Sequence, residues 1–283
     1  MPEMPEVESL AQFLTSEAGG QVVTRAELAS LSALKTYDPP LSAIVGSTVG
    51  HVDRKGKFLL LHIGELILGM HLARGGWVQW RPVLSAIKPK PAKGPLALRI
   101  GLDGGAGFDV TEQGKEKRLA IWVVRNADDI EGIARLGPDP LDPEFELGPL
   151  LSERRQQIKR VLTDQSVIAG IGNAYSDEAL HLAKLSPFRM AASLEPDEVA
   201  RLGAAISEVL RDAVTRSAGL PAAGLKSEKK SGMRVHGRTG EACPECGDTV
   251  REVSFATSSL QYCATCQTGG KPLADRRLSR LLK

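Results

Sequence analysis

The chain has 283 residues, 42% of them hydrophobic and 25% charged, an ordinary globular balance that argues against wholesale disorder and leaves room for roughly two domains at about 150 residues each. Its longest apolar stretch, residues 58–70, is broken by His62 and Glu65, which excludes a membrane-spanning helix of the usual kind. The formal net charge of +2 says little by itself, but residues 225–283 hold 11 Lys and Arg against 6 Asp and Glu, while the rest holds 25 against 28.

The chain opens with MPEMPEVESLAQFL, which is acidic and has no basic n-region. That argues against a secretory signal and makes a cytoplasmic protein the expectation. Residues 5–18 predict a helix: Pro5 suits a first turn, Val7, Leu10, Ala11, Phe13 and Leu14 form an apolar stripe, and Gly19-Gly20 stops it. Short β-branched or aromatic strands follow at 22–28, 48–53, 57–63, 66–71, 77–80, 96–102 and 119–125. Residues 81–95 and the Gly-rich 103–107 predict exposed loops. One helix followed by many short strands predicts a β-sandwich or barrel with a flanking helix, here residues 1–135.

Four prolines in 136–150 mark a linker. Helical sequence then takes over, at 152–163, 173–185 and 196–217, within a domain spanning 151–221. A tight turn, Ile168-Ala-Gly-Ile-Gly-Asn173, lies between the first two helices, and 222–232 predicts a mobile loop. The fold class is therefore α+β, in two lobes. The C-terminal fifth carries the basic excess, compatible with a solvated face or with nucleic acid.

All four cysteines lie there too. Cys243 and Cys246 are separated by 16 residues from Cys263 and Cys266, the spacing of a four-cysteine zinc ribbon over 235–270. Four thiolates close a tetrahedron around one Zn2+ and leave no open position, so the ion is structural. Residues 249–255 and 260–262 predict a hairpin between the knuckles. A short basic tail, 271–283, follows. No redox or nucleotide cofactor is expected.

Four features in order carry a resemblance: the N-terminal Met-Pro-Glu-Met-Pro-Glu-Val-Glu, the lysine of Arg54-Lys55-Gly56-Lys57-Phe58, the segment Ile168-Ala-Gly-Ile-Gly-Asn-Ala-Tyr-Ser-Asp-Glu-Ala-Leu180, and the closing ribbon. In that order the chain resembles the formamidopyrimidine-DNA glycosylase/endonuclease VIII family of base-excision repair enzymes over nearly its whole length. The resemblance implies a β-sandwich lobe, a helix–two-turn–helix lobe with a zinc finger, and damaged double-stranded DNA in the cleft between them. It assigns the nucleophile to Pro2, the acid/base role to Glu3, a positioning role to Glu6, and phosphate binding or leaving-group protonation to Lys57.

The chemistry behind Pro2 is direct. Once Met1 is removed, Pro2 presents a secondary amine with a pKa near 8, neutral in part at physiological pH. Such an amine can attack the sugar C1′, expel the base and leave an iminium, whose acidified C2′ proton permits strand cleavage. One residue thus supplies glycosylase and lyase activities. Gly172 and Asn173 can hold a phosphate at a helix N-terminus. Lys159, with Arg160, is either a phosphate ligand or part of a solvated helix face.

Three positions depart from the family pattern. Arg74 stands where a methionine usually fills the gap left by the flipped base. The loop Thr111-Glu-Gln-Gly-Lys-Glu-Lys117-Arg118 lacks the usual aromatic wedge. Ser258 replaces an arginine of the zinc hairpin. Lys115, Lys117 and Arg118 could substitute as phosphate ligands. Two readings stay open: a bifunctional glycosylase/AP lyase, or a catalytically weak paralogue that recognises lesions. A monomer suffices for either.

Overall fold

A computed structural model describes residues 2–90, 94–256 and 258–274. Most of the basic tail expected at 271–283 lies outside them. The chain divides into two units, Met1–Leu136 with Arg216–Lys226, and Gly137–Thr215 with Ser227–Lys283.

In the first unit the apolar run after Gly56-Lys57 becomes β3 (Phe58–Ile63), and the next one β4 (Leu66–His71). Alternate residues of a strand face opposite ways. Leu59, Leu61 and Ile63 therefore enter one core, while Phe58 and Leu60 join Ile67, Val124, Ile130 and Ile133 in another. A strand covered on both faces explains why the sequence shows a continuous run rather than alternation. With β2 (Val49–Lys55) and β8 (Ala120–Val124) these strands make an antiparallel sheet in the order β2-β3-β4-β8. The second sheet runs β1-β6-β7-β5, from β1 (Val23–Leu28), β5 (Gly76–Arg81), β6 (Leu96–Leu102) and β7 (Gly107–Glu112). Val78, Leu98, Ile100, Phe108 and Val110 face the same core as Leu59 and Leu61, which makes a β-sandwich. Helix α1 (Met4–Ala18) closes it with Val7, Leu10, Ala11 and Leu14.

The strand β7 is absent from the sequence reading. Its Asp109 interrupts the apolar alternation, yet it is buried and bonded to the Arg99 guanidinium at 2.7 and 3.1 Å. An acid inside a strand is tolerated because the neighbouring strand supplies its counter-charge. The short helix α2 (Glu131–Ala134) covers the outer face of the other sheet, where a Cβ on Gly69 would come within 2.5 Å of Ile130.

In the second unit, α3 (Gly148–Leu151) and α4 (Ile158–Thr163) replace the single helix expected at 152–163. The intervening backbone pairs elsewhere: Ala192 N donates to Arg154 O, Ala191 N to Gln156 O, and Ile158 N to Arg189 O. Helices α5 (Asn173–Leu182) and α6 (Pro196–Ser217) follow. The expected mobile loop at 222–232 is instead largely helical, as α7 (Leu225–Gly232). Within the first unit its start is anchored by buried Ala222 and Leu225, and Trp77 Nε1 donates to Ala222 O at 3.1 Å. The hairpin β9 (Val250–Ser254) and β10 (Ser259–Cys263), then α8 (Ala264–Thr268), form the ribbon. No helix of the described residues is long and apolar enough to cross a membrane.

Candidate active site and nucleic-acid interface

In the first unit the site begins at the N-terminus of α1. Glu3 is its N-cap and Pro5 lies in its first turn. Glu3 and Glu6 form a reciprocal capping box, in which Glu3 N donates to Glu6 Oε2 at 2.8 Å. Pro2 is buried, and Glu3 and Glu6 are only 2% and 3% exposed. Two carboxylates survive burial here because helix-terminal amides and the positive end of the helix dipole surround them.

Lys57 sits in a two-residue turn rather than at the head of a strand. Lys55 pairs with Phe58, and Gly56 takes a φ of +57°, the left-handed conformation that favours glycine. Arg54 fixes this turn to α1: its Nε donates to Glu8 Oε2 at 2.9 Å and its Nη1 to Gly56 O at 3.3 Å. One guanidinium thus ties the helix that starts with Glu3 and Glu6 to the turn that carries Lys57. Lys57 is buried, and beside it stands His71, at the end of β4 and paired with Phe58. Burial, then the Lys57 charge, lowers the His71 pKa to about 4, so the imidazole is neutral at physiological pH. His71 is a residue that sequence reasoning missed. The available signal was its place in the His71-Leu72 pair that precedes Arg74.

The turn at Arg74 and the loop at 113–118 are stitched together. Gln113 N donates to Gly75 O at 2.9 Å, and a Cβ on Gly75 would lie 2.1 Å from Gln113 O. Arg74 is exposed at the turn, just after Ala73 at φ +50°. The buried Glu112 carboxylate accepts from Arg118 N at 2.7 Å and Leu119 N at 2.9 Å, which closes the loop 113–118. Lys117 Nζ bends back onto Glu112 O, and Arg118 pairs with Glu116 at 2.9 Å. Arg74, Lys115 and Arg118 therefore project as exposed cations from two adjoining turns.

In the second unit, Gly172 is the N-cap of α5 and Asn173 its first residue. Asn173 Nδ2 donates to Ser259 O at 2.7 Å, so this side chain holds the zinc hairpin to the helix. Lys159 is placed differently from a phosphate ligand on a solvated face. Its Nζ donates to Asn173 O at 3.0 Å, Ser176 Oγ at 2.8 Å and Asp177 Oδ1 at 2.6 Å. Those three partners use the donors an ammonium has. Arg160 next to it is exposed. Ser258, at the tip of the hairpin, is exposed, and its carbonyl accepts from Phe255 N at 2.7 Å.

Asp177 and Glu178 were also missed, although an acidic pair inside the apolar stretch of α5 was the visible signal. Asp177 Oδ2 accepts from His236 Nδ1 at 2.8 Å and Gln261 N at 3.2 Å. Glu178 accepts from the backbone N–H groups of Arg234 (2.7 Å), Val235 (3.0 Å) and His236 (2.8 Å). Burial raises the Glu178 pKa despite these three donors.

The four cysteines converge as their spacing predicts. Their sulfurs all lie within 4.8 Å of one another, with Cys243 and Cys266 at 3.9 Å and Cys246 and Cys263 at 3.4 Å. A tetrahedron of Zn–S bonds of about 2.3 Å sets sulfurs near these separations, well beyond a disulfide bond. Burial pushes the Cys263 thiol up to about 11 and Cys266 higher still, so both thiolates need a cation. His181 Nε2 lies 3.2 Å from Cys243 Sγ and can donate to that thiolate from α5. The donor set fits one structural Zn2+.

Three family descriptions match in chain order: the formamidopyrimidine-DNA glycosylase N-terminal domain over residues 1–118, the H2TH domain of the same enzymes over 136–222, and the zinc finger found in FPG and IleRS over 240–269. A formamidopyrimidine-DNA glycosylase of Symbiobacterium thermophilum is 34% identical over 98% of this chain and 93% of its own. An uncharacterized formamidopyrimidine-DNA glycosylase-like protein of Mycobacterium tuberculosis is 63% identical over 52% of this chain and 94% of its own. Among solved structures, the Lactococcus lactis Fpg in complex with an abasic-site-containing DNA shares the fold, with a TM-score of 0.81 at 24% identity over 94% of this chain and all but 1% of that one, which is covered to 99%. Together with the buried Pro2-Glu3 start of α1 and the four-cysteine ribbon, these likenesses place the chain in the formamidopyrimidine-DNA glycosylase family.

Proposed function

We propose that this chain is a bifunctional DNA glycosylase/AP lyase acting on oxidised or ring-opened bases in duplex DNA, with Pro2 as its nucleophile. The observation that carries this reading is the buried start of α1, where Pro2 precedes two carboxylates that are 2% and 3% exposed. After Met1 is removed, the Pro2 nitrogen lone pair attacks C1′ and the bond from C1′ to the base breaks. The base departs with a proton, and Glu3 protonates the ring oxygen as the sugar opens to the iminium. Loss of a C2′ proton then expels the 3′ phosphate, and water releases the amine. Glu6 holds the Glu3 backbone, and Lys57, with neutral His71 beside it, supplies charge and a hydrogen-bonding edge for a phosphate.

Duplex binding falls to Arg74, Lys115 and Arg118, with Lys117 once it leaves the Glu112 carbonyl, to the Gly172-Asn173 helix start, and to the hairpin around Ser258. Phosphate ligands position DNA without reading its sequence. One chain carries every group the reaction needs, so a monomer working in the cytoplasm or on the nucleoid fits the chemistry. A second reading, a lesion binder with weak catalysis, is favoured by the Arg74 turn, by the absence of an aromatic in 113–118 and by Ser258.

Borohydride trapping on a duplex with one abasic site separates the two, because lyase chemistry needs no lesion specificity. The expected result is a covalent adduct formed only by chains whose intact mass lacks Met1, and lost in Pro2→Gly. No adduct from Met1-free chain that still binds duplex would instead establish the lesion binder.

A further inference from the structure

The outer face of the β2–β3 hairpin holds a cluster that the reaction does not use. Val52 and Leu61 pair across the strands and enter the sandwich core. His51, Asp53 and His62 are each one residue away from them, so all three share the opposite face. His62 Nε2 lies 3.2 Å from Asp53 Oδ2, and His51 Nε2 lies 3.7 Å from the same oxygen. The two imidazoles stack with centroids 4.0 Å apart and planes 14° from parallel. One ligand atom from each of the three residues falls within 4.8 Å of the other two.

The cluster is under-satisfied as it stands. Asp53 Oδ1 is shielded from solvent and has no hydrogen-bond partner among the described residues. A shielded carboxylate oxygen without a donor is unfavourable, and a nearby cation relieves it. Both imidazoles turn a nitrogen toward the other carboxylate oxygen, and His51 remains 62% exposed, which leaves an approach from solvent. The three other histidines of the chain, His71, His181 and His236, have the separate surroundings described above.

We propose that His51, Asp53 and His62 form a second metal site, for a divalent transition ion of the zinc class. Two imidazole nitrogens and one carboxylate oxygen are a donor set for Zn2+, Cu2+ or Ni2+ and a poor one for Mg2+ or Ca2+, which take oxygen. In a tetrahedral Zn2+ site such ligand atoms lie about 3.3 Å apart, so the 3.2 Å and 3.7 Å separations to Asp53 are close to those required, and the two near-parallel rings must turn about their own axes to aim both nitrogens at one ion. Three protein ligands on one side leave the solvent side for water. The ion is therefore exchangeable, unlike the closed cysteine site. It would fasten β2, the end strand of its sheet, to β3. His62 lies five residues along the hairpin from Lys57, about 16 Å at strand rise, so the ion stands apart from the proposed chemistry.

The test uses the full chain purified with its cysteine site loaded, titrated with buffered free Zn2+, and counts bound ions by native mass spectrometry. Wild type takes up one further equivalent at micromolar free Zn2+. The double variant His51→Gln, His62→Gln loses that one equivalent and keeps the cysteine-bound ion. On the unaltered chain, Zn2+ but not Mg2+ protects His51 and His62 from diethyl pyrocarbonate, read peptide by peptide. Any one of three results overturns the site: wild type that stays at its cysteine-bound complement, a double variant that binds as many ions as wild type, or reactivity at His51 and His62 unchanged by Zn2+.

Discussion

Two acidic pairs lie almost wholly buried in this protein, and they are bonded in different ways. Glu3 and Glu6 are 2% and 3% exposed at the start of α1, and Asp177 and Glu178 are 1% and 3% exposed inside α5. The α1 pair caps its own helix and adjoins the Pro2 nitrogen. The α5 pair reaches out of its helix, Glu178 to three backbone donors at 234–236, and Asp177 to Lys159, His236 and the hairpin. Burial of a carboxylate therefore does not by itself mark a catalytic group. What it is bonded to separates the two: the α5 pair completes a loop, whereas the α1 pair stays at a helix end, where the proposed chemistry needs a group able to move a proton.

The comparison can be broken at its first member. Glu3→Gln, like Pro2→Gly, is expected to lower the single-turnover rate on abasic duplex by about 10²–10⁴-fold, the range for general acid–base groups, with thermal unfolding little changed. A comparable loss of rate from Glu178→Gln per folded molecule would erase the distinction. Removing the zinc is the next largest effect. Chelation or Cys266→Ser should unfold the ribbon, seen as lost duplex binding and protease cleavage in residues 235–270, because the energy of metal binding is what holds the two knuckles together. Glu178→Ala leaves three buried backbone donors without their acceptor. It should destabilise the second unit by about 1–3 kcal/mol in denaturant unfolding, while Pro2 trapping continues in the folded fraction.

Smaller changes sharpen the contrast between the proposed reaction end and the Arg74 turn and Ser258 hairpin. Ser258→Arg should raise duplex affinity and steepen the salt dependence by about one unit of log K against log salt, and Arg74→Ala should lower affinity, both by equilibrium titration. No change in either would remove these positions from the interface. The smallest effect is in pH. His71 has a folded pKa of about 4 against an ordinary 6.5, so the unfolded chain binds the proton more tightly between those values. Stability should therefore fall as pH drops from about 6.5 to about 4, and His71→Gln should flatten that slope in pH-resolved thermal unfolding.

Much of this was legible in residue order. The helix at 196–217 carries both its stop and start signals, and α6 spans the same residues. The ribbon followed from cysteine spacing, since two knuckles can close only one tetrahedron. Less legible were elements whose partners are distant in sequence. The strand β7 hides behind Asp109, which is stable because Arg99 and Arg81 reach it from the two adjacent strands. The helix expected at 152–163 breaks because its backbone finds partners at 189–192. Neither fact has a local signature.

The same division holds for the site. Sequence by itself determined the kinds of chemistry present: an N-terminal Pro-Glu pair, a lysine after a glycine turn, a four-thiolate metal site and a helix start at Gly172-Asn173. These are local features, set by residue identity and short spacing. Tertiary structure alone decided which charges remain available. Lys159 is consumed by Asn173, Ser176 and Asp177, His71 is neutralised by burial beside Lys57, and the Arg74 turn is joined to the loop at 113–118. A charge acts according to its solvation and its neighbours, and both are fixed by residues far away along the chain.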